Sequence, residues 1–465
     1  MEKATTGKLP FRAKFGYGAL EASVSGLWLV FYLFYMFFLT DVAKMAPHKA
    51  GLIIALATVW DAIAGLIIGI VSDRSNLKSG RRRPFLIGAA IPIGVSFWLL
   101  FTDFGLGSSW DFIYYLAMII FYWTFFGCQN IPYTALAGEM TRDYDDRMSL
   151  TSYRMGWGQV FGVAAATFPL ILAGFYSDLF GSMRAGWSAM AATFGFFAVF
   201  PILYTWVATK GYELYPEKSE FQFKEMLKAV FSNRPFRYTL GVWTGSVISV
   251  TLTGTVGIYF MTYIMGFDEN RSSMVYFFMM TVGIVFVPLI NIVSLKIGKR
   301  WAFIVFEISY VASLCGMLWV GPSTEIWYWV LIAIFSGGTV LCYLMGWSMI
   351  PDVVEVDELR TGQRREAMFF SIAAFIQKFG CGIAMWLNGL VLSRVGYVPD
   401  VAQTPEVLFA IKMLFCVVPG ILGIIAIIFA YHLPLTREKH EAVCDLICRQ
   451  KEGLACDYTS VEDVI

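Results

Sequence analysis

The chain has 465 residues, of which 58% are hydrophobic and 15% are charged, and its formal net charge is +1. A soluble domain has about 25% charged residues, so this composition excludes an ordinary soluble protein and indicates a membrane protein. The near-neutral charge and the lack of a long basic segment give no support to nucleic-acid binding.

The first residues, MEKATTGKLPFRAKFGYG, are polar and lack an apolar core with a cleavage site, so we expect no signal peptide. Long apolar runs follow, and a run of about 20 apolar residues crosses a bilayer as a helix. The fold class is therefore an all-α membrane protein with twelve transmembrane helices. We predict them at 19–40, 50–72, 85–103, 112–138, 151–174, 186–208, 238–265, 272–293, 301–320, 327–350, 367–393 and 407–432.

One long connection divides these helices into six and six. It contains FKEMLKAVFSN, a charged amphipathic stretch that we expect to lie along the membrane surface. Two six-helix bundles of this kind enclose a substrate site near the membrane midplane. We predict an N-terminal bundle at 1–208, a middle loop at 209–237, a C-terminal bundle at 238–436 and a tail at 437–465.

Basic residues predict the orientation of the helices. With both termini in the cytoplasm, most of the 35 Lys and Arg residues fall on inner segments. The outer loops then carry Lys44, Lys49, Arg184, Arg271 and Arg394. This bias follows the positive-inside rule. A miscount of one helix would exchange inner and outer loops along the rest of the chain, and the bias would be lost.

Few ionisable residues lie inside the predicted spans, and each costs about 2.5 to 3.5 kcal/mol at mid-helix, which makes it a candidate for function. They include Glu21, Asp61, Glu307, Lys378 and Lys412. Glu21 and Lys412 lie near span ends, where they can reach the interface. Asp61 and Lys378 lie near mid-span, so each must face a cavity or a partner. A structural ion pair between the two halves is the alternative for both.

Asp61 shares one helix face with small residues. Gly65 and Gly69 follow at four-residue steps, and Asp73 continues the row. Small residues at this spacing let another helix approach closely. We therefore expect the Asp61 carboxylate to face a packed helix or a cavity, where it is suited to carry a proton or bind a small cation. Asp73 and Arg81, with Arg82 and Arg83 beside it, are expected to gate the following inner loop.

Polar and aromatic residues of other helices are candidates for substrate binding. Gln129 and Asn130 precede Pro132, and polar side chains beside a helix break can line a site. Arg154 begins the fifth helix, and Trp157 and Trp347 lie within spans and suit sugar faces. The alternatives are bridging between helices for the amides, an interfacial position for Arg154, and packing for the aromatic rings.

The eight cysteines give no sign of a metal site. Cys444, Cys448 and Cys456 lie in the tail, and their spacing matches no common zinc pattern. We expect reduced thiols and no metal, with lipidation or metal binding as the alternatives. The three histidines cannot form a catalytic or metal cluster at mid-membrane, so we expect no enzyme.

Several stretches together resemble the glycoside–pentoside–hexuronide:cation symporters, a branch of the major facilitator superfamily. They are FGYGALEAS (15–23), FFLTDV (37–42), VWDAI (59–63), NIPYTALAGEMTRDYDDRMSLTSYR (130–154) and SMIPDVVEVDELRTGQRREAMFFSIAAFIQKFG (348–380). They cover both halves in the order typical of the family. The resemblance implies a major facilitator fold and symport of a sugar or glycoside by alternating access, in the plasma (bacterial inner) membrane.

The resemblance also implies roles for single residues. Asp61 matches the first acid of a helix-two cation motif, Arg154 a sugar-binding arginine, and Lys378 a lysine linked to the cation and sugar sites. Three more match inner-loop acids that close the cytoplasmic side by pairing with basic residues. These acids are Asp352, Glu355 and Glu358, and the expected basic partners include Arg147 and Arg364.

Departures from the family pattern bear on the coupling ion. Sodium-using members carry a second acid in helix two, where this chain has Gly65, and an acid before the helix-four Ile-Pro, where it has Asn130. Sodium favours several oxygen ligands, whereas a proton needs one titratable group. We therefore predict proton coupling through Asp61, with Glu21 as the second candidate, sodium as the alternative ion, and no other cofactor.

The same sequence features are compatible with other functions. The solute could be a lipid-like amphiphile, since lysophospholipid carriers share this branch, and a lateral opening to lipid would favour that interpretation. An uncoupled sugar facilitator and a transporter-like receptor are further alternatives. We expect a small-molecule substrate, the lipid bilayer as surroundings, and a functional monomer.

Overall fold

The structure is a computed structural model that describes residues 8–75, 80–141, 143–212, 232–362, 365–399, 401–452 and 458–461. Within these ranges the regular structure is helical, without strands. Twelve of the described helical segments are long and apolar enough to cross a membrane, which confirms the predicted number. The predicted amphipathic stretch of the middle loop, at 223–233, lies outside the described residues except for its last two positions.

The helices of the first half begin and end close to the predicted bounds. They are α1 (Phe11–Phe37), α2 (Pro47–Arg74), α3 (Arg83–Leu100), α4 (Ser108–Met140), α5 (Tyr144–Phe180) and α6 (Met183–Ala208). A π-helical segment, Phe38–Val42, continues α1. Pro132 and Pro169 lie inside α4 and α5. Helices in a membrane tolerate such residues because neighbouring groups satisfy the freed backbone.

The second half has six further spans and one helix after them. They are α7 (Arg234–Tyr259), α8 (Glu269–Ile297), α9 (Lys299–Met317), α10 (Glu325–Thr361), α11 (Glu366–Arg394), α12 (Pro405–Tyr431) and α13 (Arg437–Lys451). A π-helical segment, Phe260–Ile264, continues α7, and another, Met413–Val417, lies within α12.

The first compact unit comprises Met1–Ser219, Gly257–Met280 and Met385–Val407. Within it α1 packs against α5 and α6, α3 against α4 and α6, and α2 against α4. Most of the side chains of α1 are buried. Aromatic rings fill the region around its end, where Phe101 and Trp187 stack with ring centres 6.2 Å apart. These contacts make α1 the central helix of the unit.

The second compact unit comprises Glu220–Val256, Thr281–Ala384 and Leu408–Ile465. Here α9 packs against α10 and α12, and α13 packs against α10. Apolar side chains such as Val242, Phe303 and Leu341 form its core. Parts of α7, α8 and α11 group with the first unit. The predicted bounds of the two bundles, the middle loop and the tail stay a prediction.

Two boundaries differ from the sequence prediction in ways that matter for function. We expected a loop from 351, but α10 continues to Thr361 and ends where Gly362 adopts φ 69°. The continuation is amphipathic, because Val353 and Val356 are buried, and Gly362 is the first residue suited to a left-handed helix end. The predicted tail contains α13, which begins with Thr436 accepting a hydrogen bond from the Lys439 amide.

Candidate functional site

A buried ion pair joins α1 to α5 in the first unit. Arg154 Nε donates to Glu21 Oε2 at 2.5 Å, and Ser25 Oγ donates to Glu21 Oε1 at 2.7 Å. The side chain of Glu21 is 11% exposed and that of Arg154 is 27% exposed. Opposite charges in contact offset the desolvation that each would suffer alone. The sequence assigned these residues to separate roles, whereas the structure brings them together.

Neighbouring residues hold both partners of the pair in place. The Arg154 guanidinium carbon lies 5.2 Å from the centre of the Tyr133 ring of α4, a cation–π distance. The Tyr133 ring packs in turn on Tyr17 of α1, with ring centres 4.7 Å apart. On the other side, Gly158 of α5 leaves room for the carboxylate, since a Cβ there would lie 3.2 Å from Glu21 Cγ.

Asp61 lies on α2 and is buried, with 6% of its surface exposed. Its neighbour Trp60 donates from Nε1 to Thr124 Oγ1 of α4 at 2.9 Å. One turn further, a Cβ on Gly65 would lie 3.4 Å from Ile131 of α4. A Cβ on Gly69 would meet no described atom within 4 Å. At Gly65 the neighbouring helix therefore makes only an ordinary side-chain contact, and no close approach of its backbone is found at Gly65 or Gly69 among the described residues.

Two amide side chains of α4 carry buried polar atoms. Gln129 has no exposed surface, and neither its Nε2 nor its Oε1 has a hydrogen-bond partner among the described residues. Asn130 Oδ1 is also buried without a partner in that part of the chain. Both residues lie about one turn before Tyr133, which contacts Arg154. Buried polar groups are nearly always satisfied, so these atoms are candidates for hydrogen bonds to a ligand or to water.

The other predicted substrate residues have different surroundings. Trp157 is half-buried, and its ring packs on Phe15 and Phe161 with ring centres 5.1 and 5.5 Å apart. Lys378 is exposed on α11 in the second unit, and its predicted role stays a prediction. The side chain of Trp347 lies outside the described part of the structure.

The arginine run before α3 contacts the inner ends of neighbouring helices. Arg82 Nε lies 2.8 Å from Glu139 Oε1 at the end of α4, and Arg81 Nε lies 3.9 Å from the same oxygen. Arg83 donates from Nε to the Trp206 carbonyl at 3.1 Å. The run is thus anchored within the first unit. The side chain of Asp73 lies outside the described part, so its expected role in gating stays a prediction.

The predicted gate acids lie on the last turns of α10 instead of in a loop. Asp352 accepts from Lys299 Nζ at 2.7 and 2.8 Å. Glu355 Oε2 lies 2.6 Å from His440 Nε2 of α13. Glu358 is buried, with 8% exposed. Asp352 and Glu355 are therefore engaged with cationic or titratable groups of their own unit.

The expected basic partners of these acids are placed differently. Arg147 is exposed and donates from Nε to the Thr141 carbonyl at 3.0 Å. Arg364 lies outside the described residues. A pair that the sequence did not single out, Asp357 with Arg365, forms two hydrogen bonds of 2.7 and 2.9 Å. We missed it because both residues were assigned to a loop.

A second polar cluster that the sequence analysis missed surrounds Asp41, at the end of the π-helical segment after α1. Asp41 is 1% exposed and accepts from Tyr397 Oη at 2.6 Å, Tyr263 Oη at 2.9 Å and Thr40 Oγ1 at 2.6 Å. Thr40 in turn lies 2.6 Å from Tyr259 Oη. Burial and the nearby Asp41 charge raise the pKa of Tyr397. The stretch FFLTDV was the available signal, but Asp41 fell just beyond the predicted first helix.

Comparisons with known proteins place the chain in a family. Residues 14–437 match the family described as MFS/sugar transport protein. The chain belongs to this family, the glycoside–pentoside–hexuronide symporters of the major facilitator superfamily, as the sequence motifs predict. It is a multi-pass membrane transporter, and its relatives are transporters and not enzymes.

The similar proteins differ in the solutes that their names give. The chain is 27% identical to an isoprimeverose transporter of Lactiplantibacillus pentosus, covering 97% of this chain and 94% of the relative. It is also 27% identical to a sodium-dependent lysophosphatidylcholine symporter of Xenopus tropicalis, covering 92% and 87%. A bacterial homologue of the lysosomal transporter Spinster shares the fold, with a TM-score of 0.67, 14% identity and coverage of 91% and 96%.

Proposed function

We propose that the protein imports a sugar or glycoside together with a proton by alternating access. It acts as a monomer in the plasma (bacterial inner) membrane, with both termini in the cytoplasm. The observation that carries the proposal is the Glu21–Arg154 ion pair. On α4, about one turn before Tyr133, which contacts Arg154, buried amide atoms of Gln129 and Asn130 have no hydrogen-bond partner among the described residues.

The chemistry of this site favours a ligand rich in hydroxyl groups. Each hydroxyl can donate one hydrogen bond and accept others. The Glu21 carboxylate and the amide oxygens accept such bonds, while Arg154 and the Gln129 amide donate them. A sugar can satisfy both kinds of group, and leaving them unsatisfied costs about 1 to 3 kcal/mol each. The name of the isoprimeverose transporter supports this class of substrate.

The coupling ion is assigned to Asp61. Glu21 is compensated by Arg154, so its charge is suited to substrate binding, with proton coupling as its secondary role. Asp61 is buried on α2, and Gly65, where sodium-using members have an acid, packs against Ile131. Asn130 supplies an amide oxygen and no negative charge. One carboxylate of this kind serves a proton better than it serves sodium, which favours several oxygen ligands.

Uptake by purified protein in liposomes tests the proposal. Isoprimeverose and a panel of labelled glycosides are offered under an inward proton gradient, or under a sodium gradient at constant pH. We expect accumulation driven by the proton gradient. Asp61→Asn should abolish accumulation but retain exchange of substrate across the membrane, whereas Arg154→Ala should lose both. A strict sodium requirement with no effect of the proton gradient would contradict the choice of ion.

A lipid-like amphiphile is the second candidate, because an apolar cavity of about 210 Å³ lies between α1, α5 and α6. Phe161, Phe168 and Phe197 line it together with Leu27, and Ser23 and Thr193 are its polar lining residues. Phe168 and Phe197 are 51% and 61% exposed, so the cavity reaches the surface of the first unit. Competition of glycoside uptake by lysophosphatidylcholine separates the two candidates, since only the amphiphile hypothesis expects strong inhibition below the detergent concentrations that permeabilise liposomes.

A further inference from the structure

Three side chains with metal-binding atoms converge where α13 packs against the end of α10. The atoms are Glu355 Oε2, His440 Nε2 and Cys444 Sγ, and all lie within 4.8 Å of one another. The Glu355–His440 distance is 2.6 Å, the Glu355–Cys444 distance is 3.2 Å, and the His440–Cys444 distance is 3.8 Å. All three residues are partly buried.

The spacing and chemistry of these atoms fit a tetrahedral zinc ion. Zinc bonds to nitrogen, oxygen and sulfur are about 2.0 to 2.3 Å long, which places neighbouring tetrahedral donors about 3.3 to 3.8 Å apart. Two of the three distances are already close to this range. The third is a hydrogen bond between His440 and Glu355, and it lengthens when the metal replaces the shared proton.

Helix geometry keeps two of the donors in register. His440 and Cys444 are four residues apart on α13, so their side chains lie on the same face of the helix. One imidazole, one thiolate and one carboxylate form a donor set that zinc accepts readily. Asp352 Oδ1 lies 3.7 Å from His440 Nε2 and adds negative charge, while Lys299 occupies both of its oxygens.

We propose that Glu355, His440 and Cys444 bind one zinc ion, with water as the fourth ligand. The ion links the tail helix α13 to the end of α10, which carries the acids predicted to close the cytoplasmic side. The site is independent of the substrate and of the coupling ion. Spacing along the sequence does not reveal it, because Glu355 lies 85 residues before His440.

Cobalt titration of the purified protein in detergent tests this site. Bound metal is first removed with a chelator, and Co²⁺ then reports a thiolate ligand through a charge-transfer band in the near ultraviolet. We expect one Co²⁺ per chain, displaced by Zn²⁺. Cys444→Ser should remove the band, and His440→Ala should weaken binding at least about 100-fold, since loss of even an outer-shell partner costs about 10- to 100-fold.

The other tail thiols provide the matched control. Cys448 is exposed one turn after Cys444, and a Cys448→Ser/Cys456→Ser variant removes both without touching the proposed ligands. We expect it to keep the band and the affinity of the original chain. His432→Ala, which changes an exposed histidine at the end of α12, should also bind normally. Size-exclusion profiles establish that every variant is folded.

The proposal is overturned if the original chain gives no thiolate band, or if the band survives in Cys444→Ser. It is also overturned if the Cys448→Ser/Cys456→Ser variant loses the band, since the metal would then be bound by tail thiols alone. None of these outcomes depends on transport activity, so they leave the proposed symport function untouched.

Discussion

Glu21 and Glu307 are both single carboxylates buried within membrane spans, yet their surroundings differ in charge. Glu21 in the first unit contacts the Arg154 guanidinium at 2.5 Å. Glu307 in the second unit has no exposed surface and accepts from Ser246 Oγ at 3.2 Å and from Cys342 Sγ at 3.8 Å. Within the described residues, the hydrogen-bond partners of Glu307 include no cation. An unpaired buried charge is very costly, so Glu307 is expected to be neutral, whereas Glu21 has a guanidinium in contact with it.

The two carboxylates have similar packing, so the comparison isolates the effect of charge. Each lies against a glycine of a neighbouring helix. A Cβ on Gly158 of α5 would lie 3.2 Å from Glu21 Cγ, and a Cβ on Gly423 of α12 would lie 3.2 Å from Glu307 Oε1. The space for a carboxylate is therefore built in the same way in both units. Charge compensation is what separates a candidate binding group from a structural one.

Removing the cation of the first pair should have the largest effect. Arg154→Ala leaves Glu21 buried without its partner, and breaking a buried pair costs about 3 to 5 kcal/mol. Because Arg154 is 27% exposed, we expect the lower end, about 3 kcal/mol, together with loss of substrate binding. Melting temperature in detergent and substrate binding to the purified protein measure the two effects.

Arg154→Lys is the control for this substitution. It keeps the positive charge but lacks the planar guanidinium, so it should restore most of the stability and only part of the binding. If Arg154→Ala were as stable as the original chain, the pair would not hold α1 to α5.

Neutralising the acid of the same pair should have a smaller effect. Glu21→Gln keeps the shape and one acceptor oxygen but removes the charge, and hydrogen bonds to charged groups are worth about 1.5 to 3 kcal/mol. We expect a loss of about 2 kcal/mol in the free energy of unfolding and a raised KM for the transported substrate. Proton-driven accumulation should persist at saturating substrate, since we propose that Asp61 and not Glu21 carries the proton. Loss of proton coupling at saturating substrate would move that role to Glu21.

The sequence predicts the helices well because each span carries its own signal. Length and hydropathy define a membrane helix locally, and the distribution of Lys and Arg checks the number. The extension of α10 was missed because PDVVEVDELRT is rich in acids and begins with Pro351. Its buried apolar residues recur at helical spacing, and that pattern was the available signal.

The candidate site is predicted only in part, since partnerships between distant residues have no local signal. Glu21 and Arg154 were both candidate site residues, but no spacing rule joins residues 133 positions apart. The Asp41 cluster joins three segments of the chain, and the α10–α13 cluster joins residues 85 positions apart. Sequence reasoning finds the residue types that membranes tolerate poorly. Tertiary packing decides which of them meet.

Adding a methyl group at Gly158 tests whether the glycine is needed to make space for the Glu21 side chain, and the expected difference in stability is about 1 kcal/mol. An added methyl group in a well-packed region costs about 1 to 3 kcal/mol, and an Ala in place of Gly regains up to about 1 kcal/mol of helix propensity. Gly158→Ala should therefore be close to neutral in stability but raise KM several-fold, because Glu21 must shift. Gly162→Ala, one turn away with no described atom within 4 Å of its Cβ position, is the matched control. The Gly162→Ala variant should be more stable than Gly158→Ala by about 1 kcal/mol. Equal stability and equal KM of the two variants would show that an added methyl group at position 158 does not displace Glu21.

Replacing Glu307 by glutamine should have the smallest effect, because the carboxyl group is expected to be neutral already. The amide keeps an acceptor for Ser246 and has nearly the same volume, so the change should stay below about 1 kcal/mol, the size of one neutral hydrogen bond. Uptake should be unchanged, in contrast to Glu21→Gln at low substrate. Melting temperatures of the two glutamine variants, measured side by side, decide the comparison. If Glu307→Gln destabilised the protein as strongly as Glu21→Gln, then Glu307 would be charged in the folded protein, and a cation would have to compensate it.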